Sequence, residues 1–195
     1  IAAYNTAQKK QQNNRIIYKL AKAYEELGDY KNSVITLEKW LQKNEKDLTG
    51  HIMLAQFHQN HKNMEKASLH YEQALKISPE NLVALNNIAW IYAEQGNKQG
   101  VVYAKKAYDL MPNNPNVADT YGWALIQSGQ IDKGVNIIKQ ASIVAPHILE
   151  IKYHLAYGYY KQGKKKQART DLNRLLKNAD FQLKAEAKAL ISKLD

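Results

Sequence analysis

Four of the six histidines fall between His51 and His70, the others of the group being His58 and His61. Two imidazoles three residues apart, His58 and His61, can share one helix face, which is half of a zinc-binding geometry. A zinc site needs a third ligand aimed at the pair, so polar packing is the expected role of these side chains. His147 and His154 are isolated and read the same way. The second feature is a basic run, Lys161, Lys164, Lys165, Lys166 and Arg169, continued by Arg174, Lys177 and Lys184. Such density could meet anionic polysaccharide, phospholipid or nucleic acid. Only three of the 28 Lys and Arg residues are Arg, the residue suited to bidentate phosphate recognition. Most of the run falls at a helix–helix turn and on outer faces, so a solvated face is expected and no specific nucleic-acid binding. No nucleotide loop, hydrolase elbow or paired-carboxylate arrangement stands out. No enzyme activity and no cofactor are expected.

The elements carrying these residues are helical by composition. Long stretches rich in Ala, Leu, Lys, Gln and Glu run between only four prolines and nine glycines. With 45% hydrophobic and 24% charged residues the chain is neither disordered nor membrane-spanning in composition. The absence of cysteine excludes disulfides and thiolate metal or redox chemistry.

The chain also repeats itself. LAQFHQNHKNMEKASLHYEQALKISP from Leu54, IAWIYAEQGNKQGVVYAKKAYDLMP from Ile88 and YGWALIQSGQIDKGVNIIKQASIVAP from Tyr121 align with one another. Weaker copies start at Leu20 and Leu155. The small residues Ala21, Ala55, Ala89, Gly122 and Ala156 follow at spacings of 34, 34, 33 and 34. This period and pattern resemble the tetratricopeptide repeat (TPR). The implied fold is an all-α, right-handed superhelical solenoid of antiparallel helix pairs. Five repeats are placed at 14–47, 48–81, 82–114, 115–148 and 149–182. Residues 1–13, with Ala3, Tyr4 and Ala7, read as the tail of a truncated upstream repeat, so the chain is expected to be a C-terminal piece of a longer array. Residues 183–195 read as a capping helix, with Leu183, Ala187, Leu190, Ile191 and Leu194 on one face. Gly28, Gly96, Gly129 and Gly163 should close the first helices in the left-handed region. Pro79, Pro112 and Pro146 should stop the second helices. The short third repeat should lose its residue in the turn from Gly96 to Gly100.

The resemblance also implies a concave groove lined by the first helix of each repeat. Its facing positions carry Tyr18, Lys22, Ile52, Gln56, Asn86, Trp90, Asp119, Trp123, Tyr153, Tyr157, Tyr160 and Lys161. Aromatics flanked by polar groups suit a protein or peptide partner, because they bury much area at low entropic cost. The alternative is that these rings pack between helices and expose only edges. The carboxylate clamp of chaperone-binding TPR domains is absent as a set. Tyr18 and Ile52 stand where Lys and Asn would be wanted, and Asn116 and Thr120 where Lys and Arg would be.

A finer resemblance covers residues 84–178. ALNNIAWIYAEQGN, YAKKAYDLMPNNPNVADTYGWALIQSGQ and IKYHLAYGYYKQGKKKQARTDLNRLL are similar to the C-terminal repeats of the PrsT lipoproteins. These bacterial TPR proteins are encoded with exosortase/PEP-CTERM sorting and exopolysaccharide systems. The resemblance implies a periplasm-facing scaffold, anchored to the membrane through a segment outside these residues. Anionic polysaccharide is then a second class of partner. A cytoplasmic adaptor or co-chaperone, and the TPR arm of a larger enzyme, remain alternatives.

Overall fold

A computed structural model describes Ile1 and residues 13–194. The stretch holding Ala3, Tyr4 and Ala7 lies outside the described residues. Eleven helices and no strand occur among the described residues. Ten form consecutive pairs. They are α1 (Asn14–Glu26) with α2 (Tyr30–Leu41), α3 (Leu48–Asn60) with α4 (Met64–Ile77), and α5 (Leu82–Glu94) with α6 (Gln99–Leu110). Then come α7 (Pro115–Gln127) with α8 (Ile131–Val144), and α9 (Leu149–Lys161) with α10 (Lys165–Leu176). The eleventh, α11 (Lys184–Ile191), follows. No helix among the described residues is long and apolar enough to cross a membrane.

The helix ends follow from local chemistry. Asn13, Asp29, Asp47, Asn63, Asn81 and Asn114 each accept a first-turn amide and so satisfy a donor that the helix cannot. Gly28, Gly96, Gly129 and Gly163 have φ of +75°, +67°, +90° and +77° at the turns within the pairs. The second pair has Lys62 at that place, with φ of 59°. Helices α4, α6 and α8 stop two residues before Pro79, Pro112 and Pro146, since the residue ahead of a proline is driven out of the helical region. The third pair takes up its missing residue between Asn97 and Val101. There the Gly100 and Val101 amides bond carbonyls three residues back. The corresponding Ser33, Ala67, Gly134 and Ala168 amides reach four back.

The chain divides into two compact units, Ile1–Ala84 and Leu85–Asp195. In the first, Ile17, Ala21, Leu37, Leu41, Leu54 and Phe57 form the apolar centre. The second is held partly by backbone contact. A Cβ on Gly134 would lie 2.4 Å from the Gly122 carbonyl oxygen, and one on Gly122 would lie 2.4 Å from Ile138 Cγ1. Helices α7 and α8 thus meet where neither residue has a side chain. At the end of this unit Phe181, Ala187, Leu190 and Leu194 bury against Leu172 and Leu175 of α10. Glu186, Lys188 and Lys193 stay exposed, so α11 covers an apolar face with one side and meets water with the other.

Candidate functional site

The first helices of the second unit bring together most of the residues expected to face a partner. Asp119 on α7 and His154 on α9 form a buried pair, with His154 Nδ1 2.7 Å from Asp119 Oδ2. The two are 7% and 6% exposed. Asp119 Oδ1 is buried with no donor among the described residues. Burial alone would lower the His154 pKa. The Asp119 charge and hydrogen bond, with Glu150 and Glu94 nearby, outweigh it and raise the pKa above the ordinary histidine value. Trp123 lies over this pair, its ring 4.4 Å from that of His154. Its Nε1 donates to Glu94 Oε1 on α5 at 2.7 Å. Its other neighbour is Tyr157, with ring centroids 4.8 Å apart.

Around this centre the strip widens. Tyr153 and Tyr160 are half-buried beside His154 and Tyr157. Burial, helped by the charges of Glu186 and Glu94, pushes the Tyr153 hydroxyl up to about 12, so it stays a hydrogen-bond donor. Lys161 is exposed and sits 5.9 Å over the Tyr157 ring, within cation–π range. Trp90 is half-buried against the cluster of Ala89, Ala93 and Trp123. Asn86 holds a buried Oδ1 with no donor among the described residues. Acidic, aromatic and basic groups are therefore laid side by side across α5, α7 and α9.

The four residues of the first unit expected to face a groove are used differently. The Tyr18 hydroxyl donates to the Asp47 carboxylate, which also accepts Trp40 Nε1 at 2.5 Å and the Gly50 amide at 3.1 Å. Burial would raise the Asp47 carboxyl, but the bonds from Tyr18, Trp40, Gly50 and Thr49 hold it below the usual range. Tyr18 thus ties α1 to the cap of α3. Lys22 is exposed and pairs with Glu26 at 3.7 Å. Ile52 is half-buried and Gln56 exposed.

Two members of the strip escape a reading by residue type. His154 reads as an isolated histidine, and Glu94 as an outward charge at the end of a helix. A signal for the pair does exist: Asp119 and His154 are 35 residues apart, one repeat plus one, and α7 touches α9 directly. Among the described residues no group of three or more His, Cys, Asp or Glu could hold a metal ion. Clefts also lie elsewhere among the described residues. One of about 620 Å³ is lined by Tyr108, Pro112, Pro115, Ile137, Gln140 and Val144. One of about 690 Å³ lies at the basic run, lined by Tyr159, Lys164, Lys165, Lys166, Gln167 and Thr170.

Models of the tetratricopeptide repeat match residues 15–46, 48–81, 70–100 and 150–180, together more than half of the chain. The chain belongs to the tetratricopeptide-repeat family. A TPR protein from Parabacteroides merdae is similar over 99% of this chain and 77% of its own, at 18% identity and a TM-score of 0.83. PilW, described as a widely conserved type IV pilus biogenesis factor, is similar over 93% of this chain and 91% of its own, at 20% identity and a TM-score of 0.73. YrrB, described as a TPR protein with an unusual peptide-binding site, is similar over 96% of this chain and 98% of its own, at 15% identity and a TM-score of 0.72. At these identities the likeness concerns the fold alone. No curated protein matches the sequence. The all-helical TPR solenoid architecture is consistent with a protein-interaction scaffold.

Proposed function

We propose that the chain is a non-catalytic scaffold that holds a protein or peptide segment across the first-helix face of α5, α7 and α9. The observation that carries this reading is the Glu94–Trp123–His154–Asp119 network with Tyr153, Tyr157 and Tyr160 beside it. A buried ion pair with an unsatisfied oxygen is often replaceable by apolar residues of similar volume without loss of stability. Such a network beside partly exposed rings suits recognition, where aromatic anchors and a few fixed polar groups decide affinity. The peptide-binding site in the description of YrrB is in keeping with this reading.

The biological setting we propose is the bacterial envelope, in exopolysaccharide export or protein sorting. The protein would be periplasmic or membrane-anchored facing the periplasm. This rests on the resemblance of residues 84–178 to the PrsT lipoproteins, and the pilus role in the description of PilW agrees with it. In that setting the basic run at Lys161–Arg169 offers a contact for anionic polysaccharide.

Peptides selected from a random display library against the chain test the site. They should lose about tenfold or more in affinity on the Tyr157→Ala/Tyr160→Ala variant, the scale expected of aromatic anchors. Equal binding to both proteins would reject this face as the site. Trp123 is the poorer probe, because it is 6% exposed and hydrogen-bonded, so its removal also disturbs packing. Fractionation of the native bacterium tests the setting, and recovery of the protein in the cytoplasm would reject the envelope reading.

A further inference from the structure

The unit Ile1–Ala84 carries a second cluster of titratable groups, separate from the strip above. His51 and His58 are buried on α3, His70 lies opposite on α4, and Tyr30 closes in from α2. The proton positions follow from the partners. His51 Nε2 is 2.9 Å from the Glu45 carbonyl oxygen, which can only accept, so neutral His51 carries its proton there. His51 Nδ1 is then an acceptor, and His70 Nδ1, 3.2 Å away, must donate to it. His58 Nδ1 is 2.6 Å from the Tyr30 hydroxyl, while its Nε2 is buried with no partner among the described residues. The His58 and His70 rings stack with centroids 5.7 Å apart and planes 12° from parallel.

The surroundings of His58 and His70 disfavour a second proton on either ring. A proton on His58 would place a cation on a side chain that is 1% exposed. A proton on His70 would place one against the His51 and His58 rings. Among the surrounding charges, Glu25 and Glu38 act on Tyr30, while Lys66 opposes a proton on His58 and His70. From α1, Glu25 reaches the cluster, but it faces His61 Nε2 at 3.3 Å and accepts from Ser33 of α2. From α2, Tyr30 stacks on His61 with centroids 3.8 Å apart. From α3, His61 itself is the outer, exposed member. From α4, Lys66 adds a positive field. The connection between α2 and α3 presents the Glu45 carbonyl to His51.

We propose that this histidine layer is a proton sensor, by which acidification opens the α3–α4 pair of residues 13–84 while residues 85–194 remain folded. The sign follows from linkage. Burial, with the charges of Lys66 and His61, pushes His58 down to about 4, and burial with His51, His58 and Lys66 pushes His70 down to about 4. An opened unit exposes histidines of ordinary pKa near about 6.5. The opened form therefore binds more protons, and stability present above about 6.5 is lost as pH falls toward about 4. His154 in the other unit has the reverse shift, so the same acid leaves its pair intact.

Amide hydrogen exchange on the full chain, at about pH 7 and about pH 5 and corrected for intrinsic rates, tests the proposal without any variant. Protection of α3 and α4 should fall roughly tenfold or more, up to tenfold per pH unit for each histidine, while α7 and α8 keep theirs. Unchanged protection in α3 and α4, or an equal loss in α7 and α8, would overturn it. So would ring titrations of His58 and His70 with midpoints near about 6.5. The His58→Phe/His70→Phe variant keeps the ring shapes and removes the titration. It should flatten the pH dependence of α3 and α4, and full retention of that dependence would overturn the proposal. Should this variant not fold, the measurements on the unaltered chain still decide.

Discussion

The place on the first helix that holds His58 in α3 holds Tyr92 in α5, Leu125 in α7 and Tyr159 in α9. The repeat plan is the same, but the units 13–84 and 85–194 fill it with opposite electrostatics. In the first, burial, neighbouring imidazoles and the Lys66 charge push the pKa values of His58 and His70 down. In the second, a buried imidazole meets a carboxylate and holds its proton. The packing differs as well. Ala67 of α4 has a methyl where Gly134 of α8 touches the backbone of α7. A repeat scaffold evidently fixes where side chains point, while the partner that each one meets sets its charge state and the spacing of its helices.

Breaking the ion pair should produce the largest difference between the units. His154→Ala leaves the Asp119 carboxylate buried and alone, a change that typically costs about 3–5 kcal/mol. Urea unfolding near neutral pH, read with exchange of α7 and α9 amides, should show that loss in residues 85–194. The effect has a pH sign. Because the folded pKa of His154 is raised, its contribution is complete below about 6.5 and fades as pH rises through the raised value. The gap between wild type and variant should therefore narrow in alkaline solution, down to the cost of the lost ring. A loss under about 1 kcal/mol near neutrality would mean that the pair is not desolvated as its burial implies.

Backbone contact should give the next largest difference. Gly134→Ala places a Cβ against the Gly122 carbonyl, and overpacking of this kind typically costs about 1–3 kcal/mol. Gly gives way to a better helix former, so a neutral or higher melting temperature would show that α7 and α8 can separate freely. The opposite exchange at the equivalent place, Ala67→Gly, should cost about 1 kcal/mol through helix propensity.

The smallest difference concerns the turns. Lys62 holds φ of 59° where the other turns have glycine. Left-handed backbone costs an L-residue roughly 1–2 kcal/mol, so Lys62→Gly should raise the stability of residues 13–84 by about 1 kcal/mol in a thermal melt. Gly129→Ala should lower that of residues 85–194 by a similar amount. No gain from Lys62→Gly would mean that its side chain makes up the strain.

Much of this architecture is legible in the residues because it is local. The repeat period, the turn glycines, the prolines past α4, α6 and α8, and the Asn and Asp caps each act within a few residues of where they stand. The apolar face of α11 can be read from its periodicity for the same reason. Even the short third repeat shows its place, since a lost residue is taken up most easily where a helix starts. The site is a different matter. The resemblance to the repeat family assigns Tyr18, Asp119 and Trp123 to one kind of face, but it cannot say that Tyr18 is tied to Asp47, or that Trp123 lies over His154 and bonds Glu94. Those outcomes depend on the offset between neighbouring helices, which contacts distant in sequence set, such as the close approach of Gly122 and Gly134 between α7 and α8. The histidines show the same division. Their types and spacing are in the sequence, but a proton's position on His51 or His154 depends on the group across the helix interface, which only the folded chain brings within hydrogen-bonding distance.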